Sequence, residues 1–268
     1  VGIIYVNYAH MKYTLITLLL LFSSAASGQT DCQFKGSTTI YDGFQQKWTF
    51  TDSIDANIPS LPASTFKVIN LLIALETGVI KNENEVVKWL GFTDTTLYGY
   101  RPEIYRNMTV KEAFEVSAGW VFIELAKKIG RDKYRKYLKS CHYGNNQLSE
   151  KGDDFWNFGE FGISPVNQIN FLIAVYNGKV PFSRRNIDIL KRVMITETTP
   201  AHIIRSKTGW TRANSTDLGW WVGYAEYQQH PYFFATRISK DRKTVNPGFG
   251  QCRKEITLSI LRQLGYLD

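Results

Sequence analysis

Ser64-Thr65-Phe66-Lys67 runs without a break into Val68-Ile69-Asn70-Leu71-Leu72-Ile73-Ala74-Leu75-Glu76, and this stretch decides how the rest of the chain is read. The run after Lys67 is apolar nearly all round, which predicts a buried helix. Pro62 just before it, with Ser64 or Thr65 as cap, predicts a helix start at this point. Ser64 and Lys67 are three apart and therefore share one helical face. A hydroxyl is a poor nucleophile until a base takes its proton, and a Lys amine becomes that base when burial lowers its pKa. The N–H groups at a helix start suit developing negative charge. Lys67 is followed by nine residues whose only charge is Glu76, which does not read as a solvated face. Ser-x-x-Lys alone arises by chance roughly once in a chain of this length, so it needs partners elsewhere.

Outward from this helix the chain reads as α+β. Towards the N-terminus, Gln33 to Tyr41 and Lys47 to Thr51 predict two short strands around a turn at Asp42-Gly43. Residues 81–107 read as loop-rich. Thr109 to Val116 predicts a helix with Thr109 as cap and Glu112 at capping-box spacing. Helices follow at Val121 to Ile129 and Asp132 to Ser140. Asn145 to Phe161 reads as a long polar and aromatic loop, and loops of this length inside a compact domain are usually functional. Ser164-Pro165 starts a helix that runs to Tyr176, and Ile187 to Ile195 reads as another. Ile203 to Lys207, Leu218 to Tyr227 and Tyr232 to Ser239 predict an antiparallel meander, closed by a helix over Glu255 to Leu264. The N- and C-terminal strands are expected to meet in one antiparallel sheet, flanked by helices, with a helical region between them.

The 268 residues carry 44% hydrophobic and 14% aromatic side chains, enough for a sizeable core and against disorder. Met11-Lys12-Tyr13, the apolar Leu15 to Phe22 and the small residues Ser23 to Gly28 read as a cleavable signal peptide over 11–28. Residues 1–10 read as an upstream extension without a role, and 29–268 as one catalytic domain. The apolar run is too short to span a bilayer. Export to the periplasm or the medium is expected, with no membrane association once the signal is gone. Loss of 1–28 takes one Lys and no acid, which lowers the net charge from +8 to +7. Much of that excess lies between Lys127 and Lys139, read as the solvated face of two helices broken at Gly130 rather than as a nucleic-acid surface. Cys32, Cys141 and Cys252 give no disulfide framework, and no pairing can be chosen from the sequence. No cysteine pair has metal-ligand spacing, and none of the four histidines stands in a hydrolase or zinc motif, so no metal is expected.

The partner for Ser64 and Lys67 is Lys207-Thr208-Gly209, expected at the end of the first C-terminal strand. Lys207 offers a positive charge and Thr208 a hydroxyl to a substrate carboxylate, and Gly209 allows an acyl chain close to the strand edge. Ser-x-x-Lys with Lys-Thr-Gly is the pairing used by serine β-lactamases and penicillin-binding proteins. The chain resembles the class D, oxacillinase-type β-lactamases over nearly all of residues 33–268. Ser117 lies where that family has Ser-x-Val. Tyr143-Gly144-Asn145 matches its Tyr-Gly-Asn element, Phe155-Trp156 its loop tryptophan, Gly219-Trp220-Trp221-Val222-Gly223 its next strand, and Arg253 its arginine at the last helix.

The resemblance implies hydrolysis of β-lactams through an acyl-enzyme on Ser64, with Lys67 carboxylated by carbon dioxide or bicarbonate as general base and no other cofactor. Trp156 would hydrogen-bond the carbamate, and Ser117 would relay a proton to the leaving nitrogen. Lys207, Thr208 and Arg253 would hold the substrate carboxylate, while the N–H groups of Ser64 and Trp210 would form the oxyanion hole. Tyr143 and Asn145 are expected to shape the site. Two positions depart from the family. Gly119 stands where an apolar residue covers the lysine, which leaves Lys67 without its lid unless Trp120 or another aromatic fills in. Asn157 follows Trp156 where an apolar residue is usual. The alternatives are a β-lactam sensor, or a D,D-peptidase, that acylates and then deacylates slowly.

Overall fold

The computed structural model describes residues 32, 34–149, 152–213 and 215–268. The readings of 1–10 and of the 11–28 signal lie outside them. From Asp31 to Asp268 the chain forms one compact unit. Its centre is a six-stranded antiparallel sheet. The strands are β1 (Lys35–Asp42), β2 (Lys47–Phe50), β5 (Ile195–Thr198), β6 (His202–Ala213), β7 (Thr216–Tyr227) and β8 (His230–Asp241), in the order β2-β1-β8-β7-β6-β5. The expected meeting of the two ends occurs between β1 and β8, which pair from Lys35 opposite Ser239 to Asp42 opposite Tyr232. A two-stranded ribbon, β3 (Val86–Val87) with β4 (Met108–Thr109), lies apart from this sheet.

The helices are α1 (Lys67–Glu76), α2 (Thr95–Tyr98), α3 (Val110–Glu115), α4 (Gly119–Ile129), α5 (Arg131–Ser140), α6 (Pro165–Tyr176), α7 (Arg184–Val193) and α8 (Phe249–Gln263). Thr109, Ser164 and Ser183 cap α3, α6 and α7 by accepting from the N–H groups of Glu112, Asn167 and Asn186. Period-2 alternation divides the sheet between two apolar layers. Trp220, Val222 and Tyr224 face the main core, which holds α1, α4 and α6, whereas Trp221 and Ala225 face a smaller core with Phe234 and Leu261 of α8. Lys127 to Lys139 behaves as read: Leu125, Ile129, Tyr134 and Leu138 are buried, and α4 and α5 are separated at Gly130.

Four expectations need correction. The α-helix begins at Lys67, and residues Ala63–Phe66 form a 3₁₀ turn with no side-chain cap. Thr65 Oγ1 instead donates to Pro62 O at 2.8 Å. The helix read over Ile187 to Ile195 ends at Val193, because Ile195 pairs with Arg205 as the start of edge strand β5. Strand β6 runs on to Ala213, so Lys207-Thr208-Gly209 lies in its interior rather than at its end. The last helix begins at Phe249, which places Arg253 one turn inside it.

Candidate active site

Ser64 stands on the 3₁₀ turn that leads into α1. Two anchors hold that turn against the sheet. The Trp220 indole donates to Leu61 O at 3.0 Å, and Gly209 of β6 meets the turn directly. A Cβ on Gly209 would lie 2.8 Å from Pro62 O and 3.0 Å from Thr65 Cγ2, so only glycine permits this approach. The expected reason for Gly209 was room for substrate, whereas what the residue admits is the nucleophile's own turn.

Lys67 Nζ lies 2.7 Å from Ser64 Oγ. The lysine is 2% exposed, and burial, with a smaller push from the Arg101 guanidinium, lowers its pKa from the ordinary lysine value to about 7. The apolar cover is Phe122, whose ring centroid is 5.3 Å from Nζ. Trp120 does not fill in, because its indole donates to Ile104 O at 2.8 Å and its ring packs edge-on against Trp89. The position expected to carry the lid, Gly119, has open space where a Cβ would project. Lys67 is therefore buried without a side chain at Gly119.

Ser117 enters from the turn between α3 and α4 with φ of 58°, a left-handed conformation that costs a non-glycine residue energy. Its hydroxyl does not cap α4, whose N-cap is Ala118. It accepts from Lys207 Nζ at 3.0 Å. Burial, then the charges of Lys67, Arg253, Lys254 and Arg101, hold Lys207 well below the usual lysine range. Ser64 with Lys67, and Ser117 with Lys207, thus form two hydroxyl-amine pairs whose amines are easily deprotonated.

The β6 pleat sorts the remaining residues. Lys207, Gly209 and Thr211 share one face, with Thr211 Oγ1 donating to Asn157 O at 3.3 Å, and Thr208 and Trp210 take the other. On that second side Arg253 donates from Nη1 to Gly209 O at 2.5 Å, with its guanidinium carbon 5.9 Å from the Trp210 ring centroid. Arg253 is 9% exposed, and its Nε–H has no partner among the described residues. A buried donor left unpaired suits a carboxylate. Burial lowers its pKa to about 10, so it stays charged at neutral pH. Beyond Ser206, which bonds Met194 O, no strand pairs with β6 on the side away from β7 among the described residues.

The long loop closes the site from the other direction. Trp156 stacks on Phe66 with centroids 4.8 Å apart and 7° between planes, and its carbonyl accepts from Ala63 N at 3.1 Å. Its indole N–H donates to no group among the described residues. Tyr143-Gly144-Asn145 ties the loop ends. Tyr143 is buried and bonds Gln168 at 3.2 Å, while Asn145 donates to Glu160 O at 2.8 Å and accepts from Gly162 N at 3.1 Å. Gly144 has φ of 69°, and a Cβ there would collide with Phe161. Asn157 turns its amide towards Asp154 at 3.5 Å, inside its own loop. Asp154 also accepts from the Tyr98 hydroxyl.

The structure thus brings together Ser64, Lys67, Ser117, Lys207, Gly209, Trp210 and Arg253, with Trp156 against the residue next to Lys67. Phe122 and Arg101 are additions. Nothing in the spacing of either residue marks it, because both reach the site only through tertiary packing.

Residues 39–262 match the penicillin binding protein transpeptidase domain. The chain is 38% identical over 210 residues to β-lactamase OXA-10 of Pseudomonas aeruginosa, covering 77% of this chain and 76% of that one. It is 36% identical over 236 residues to β-lactamase OXA-48 of Klebsiella pneumoniae, covering 87% and 85%. The crystal structure of a class D β-lactamase from Sebaldella termitidis superposes with a TM-score of 0.83 at 39% identity, covering 88% of this chain and 94% of that one. With a family model that matches most of the chain and relatives at this identity and coverage, the chain belongs to the class D serine β-lactamases.

Proposed function

We propose that the chain hydrolyses β-lactams by a Ser64 acyl-enzyme, with Lys67 in its carboxylated form as the general base. The observation that carries this reading is a fully buried lysine with a pKa of about 7, 2.7 Å from the nucleophile. Only a neutral amine adds carbon dioxide, with loss of one proton, and the carbamate so formed supplies a base where burial disfavours the ammonium. The Trp156 indole N–H, without an acceptor among the described residues, fits one carbamate oxygen.

Ser64 Oγ loses its proton on the Lys67 side and attacks the lactam carbonyl carbon. The Ser64 and Trp210 N–H groups receive the negative oxygen. Ser117 passes a proton to the lactam nitrogen as the C–N bond breaks, and Lys207 resupplies Ser117 across their 3.0 Å contact. Arg253 and Thr208, on one side of β6, hold the substrate carboxylate, whose negative charge favours the ammonium form of Lys207 on the other side. A water deprotonated on the Lys67 side then cleaves the ester and frees Ser64. Tyr143 and Asn145 act on this sequence by holding the Trp156 loop closed.

Export to an oxidising compartment belongs to the same reading. The Leu15 to Phe22 segment with its small-residue flank supports it, as does a disulfide between Cys32 and Cys252. Among the described residues, no helix is long and apolar enough to cross a membrane.

The test is turnover of a penicillin and of oxacillin by residues 29–268, with and without bicarbonate, beside Ser64→Ala. Sustained turnover that bicarbonate raises and Ser64→Ala abolishes is expected. A single stoichiometric burst that leaves a stable acyl-enzyme would refute hydrolysis and favour a sensor or a penicillin-binding role.

A further inference from the structure

Arg253 is preceded in the chain by Cys252, and Cys252 is bonded to Cys32, 220 residues away. The surroundings show what this bond holds. Residues 241–245 and Pro247 are exposed, and α8 begins at Phe249 without a side-chain cap. The first turn of α8 is instead fastened by a small separate core. Ile238, Phe249 and Cys252 form its buried part, with Cys32, Phe34 and Ile256 packed against them. Phe34 meets Phe249 edge-on at 5.0 Å, and Phe249 meets Trp210 at the same distance. Trp210 in turn flanks the Arg253 guanidinium. The wall of the site that carries Trp210 and Arg253 is therefore backed by a cluster with only three fully buried residues, and the N-terminal segment is joined to that cluster through Cys32.

We propose that the Cys32–Cys252 disulfide is a positioning device for Arg253, so that its reduction weakens capture of the substrate carboxylate and leaves the chemistry at Ser64 and Lys67 intact. This rests on the reading of Arg253 as the carboxylate anchor. The catalytic pairs lie in the main core, which no residue of the small cluster enters. Freed from Cys32, the turn bearing Cys252 and Arg253 loses its one covalent tie and is held by the aromatic contacts of Phe249 with Phe34 and Trp210, by Ile238 and Ile256, and by the bond from Arg253 to Gly209 O. The guanidinium then loses its fixed aim, while the contact between Ser64 on the 3₁₀ turn and Lys67 at the start of α1 lies outside this cluster. The redox step balances: a dithiol reagent gives up two electrons and two protons, closes to its own disulfide, and leaves Cys32 and Cys252 as two thiols.

The experiment measures kcat and KM for a penicillin on the oxidised enzyme, on the enzyme reduced with excess dithiol, and on the same enzyme reoxidised. Each is repeated with Arg253→Ala and with Cys32→Ser. Reduction and Cys32→Ser are expected to raise KM about tenfold, the size of one weakened charge-assisted hydrogen bond, with kcat retained. Reoxidation reverses the effect of reduction, and reduction adds nothing in Arg253→Ala. An unchanged KM on reduction, with KM raised in Arg253→Ala, would overturn the disulfide's role alone. An unchanged KM in Arg253→Ala would overturn the anchor reading, and this proposal with it. A fall in kcat at constant KM, the signature of partial unfolding, would also overturn the proposal, as would an equal rise in KM on reducing Arg253→Ala.

Discussion

Gly209→Ala places one methyl group against the turn that carries the nucleophile. Its Cβ would start 2.8 Å from Pro62 O, 3.0 Å from Thr65 Cγ2 and 3.3 Å from Thr65 N. Carbon-to-oxygen contacts rest at about 3.3–3.6 Å, so the turn and the strand must separate by roughly half an ångström. Pro62 and Thr65 bracket Ser64, so the displacement reaches the serine. Ser64 and Lys67 belong to one helical segment and shift together, which preserves their pairing. What widens is the distance from Ser64 to β6, where Trp210 N–H and Lys207 stand. Misplacement by about 1 Å costs around a hundredfold in rate, so half of that costs about tenfold, or ~1.4 kcal/mol of transition-state stabilisation. Overpacking costs a further ~1–3 kcal/mol of stability. Stopped-flow acylation with a chromogenic cephalosporin, corrected for folded protein, reads the first quantity, and thermal melting reads the second. The bicarbonate response should stay at the wild-type level. An acylation rate within twofold of wild type would show that the close approach does not set the catalytic distance.

Three further outcomes are expected. Trp156→Phe keeps the stacking on Phe66 and removes one N–H, so the variant should need more bicarbonate for full activity and lose the ¹³C carbamate signal sooner on dilution; an unchanged signal counts against Trp156 as the donor. Gly119→Val fills open space at the start of α4. It should lower the bicarbonate requirement, and a mutant that needs as much as wild type removes Gly119 from the account. For pH, a lysine lowered to about 7 is neutral above that value and charged below it. Restoration of carbon dioxide-stripped enzyme by bicarbonate should therefore rise from about a tenth of maximum at pH 6 to about nine-tenths at pH 8; a profile flat across this window contradicts the lowered lysine.

The parts of the molecule legible in its sequence were those with a local signature. The apolar run after Lys67, the Thr109 and Ser164 caps, and the alternation over Leu218 to Tyr227 each state their structure in consecutive residues. So did Ser64, Lys67 and Lys207, whose motifs are short but ordered. The misses share one cause, which is that tertiary contacts decided them. Residues 195–198 are too short a run to outweigh the helical pattern before them, although Ile195, Thr196 and Thr198 are β-branched, and they become β5 because β6 offers an edge to pair with. Phe122 covers Lys67 from another helix, one turn past the Gly119 position that the family comparison singled out. Cys32 and Cys252 are 220 residues apart, and three cysteines allow three pairings. The role of Gly209 was read from substrate chemistry, when the nearer constraint was the backbone of Pro62 and Thr65.

The pairing of β1 with β8 has a consequence for how the molecule comes into being. Thr38 and Thr236 share a hydroxyl contact at a separation of 198 residues, and among the described residues β1 has no other strand to pair with in the meantime except the short β2. A growing chain therefore cannot complete its central layer until β8 has been synthesised. Contacts of such long range make folding slow, because closure of the loop must precede any gain from pairing. The topology thus leaves β1 without its main partner until β8 follows it, and the central layer closes only when the two strands are present together.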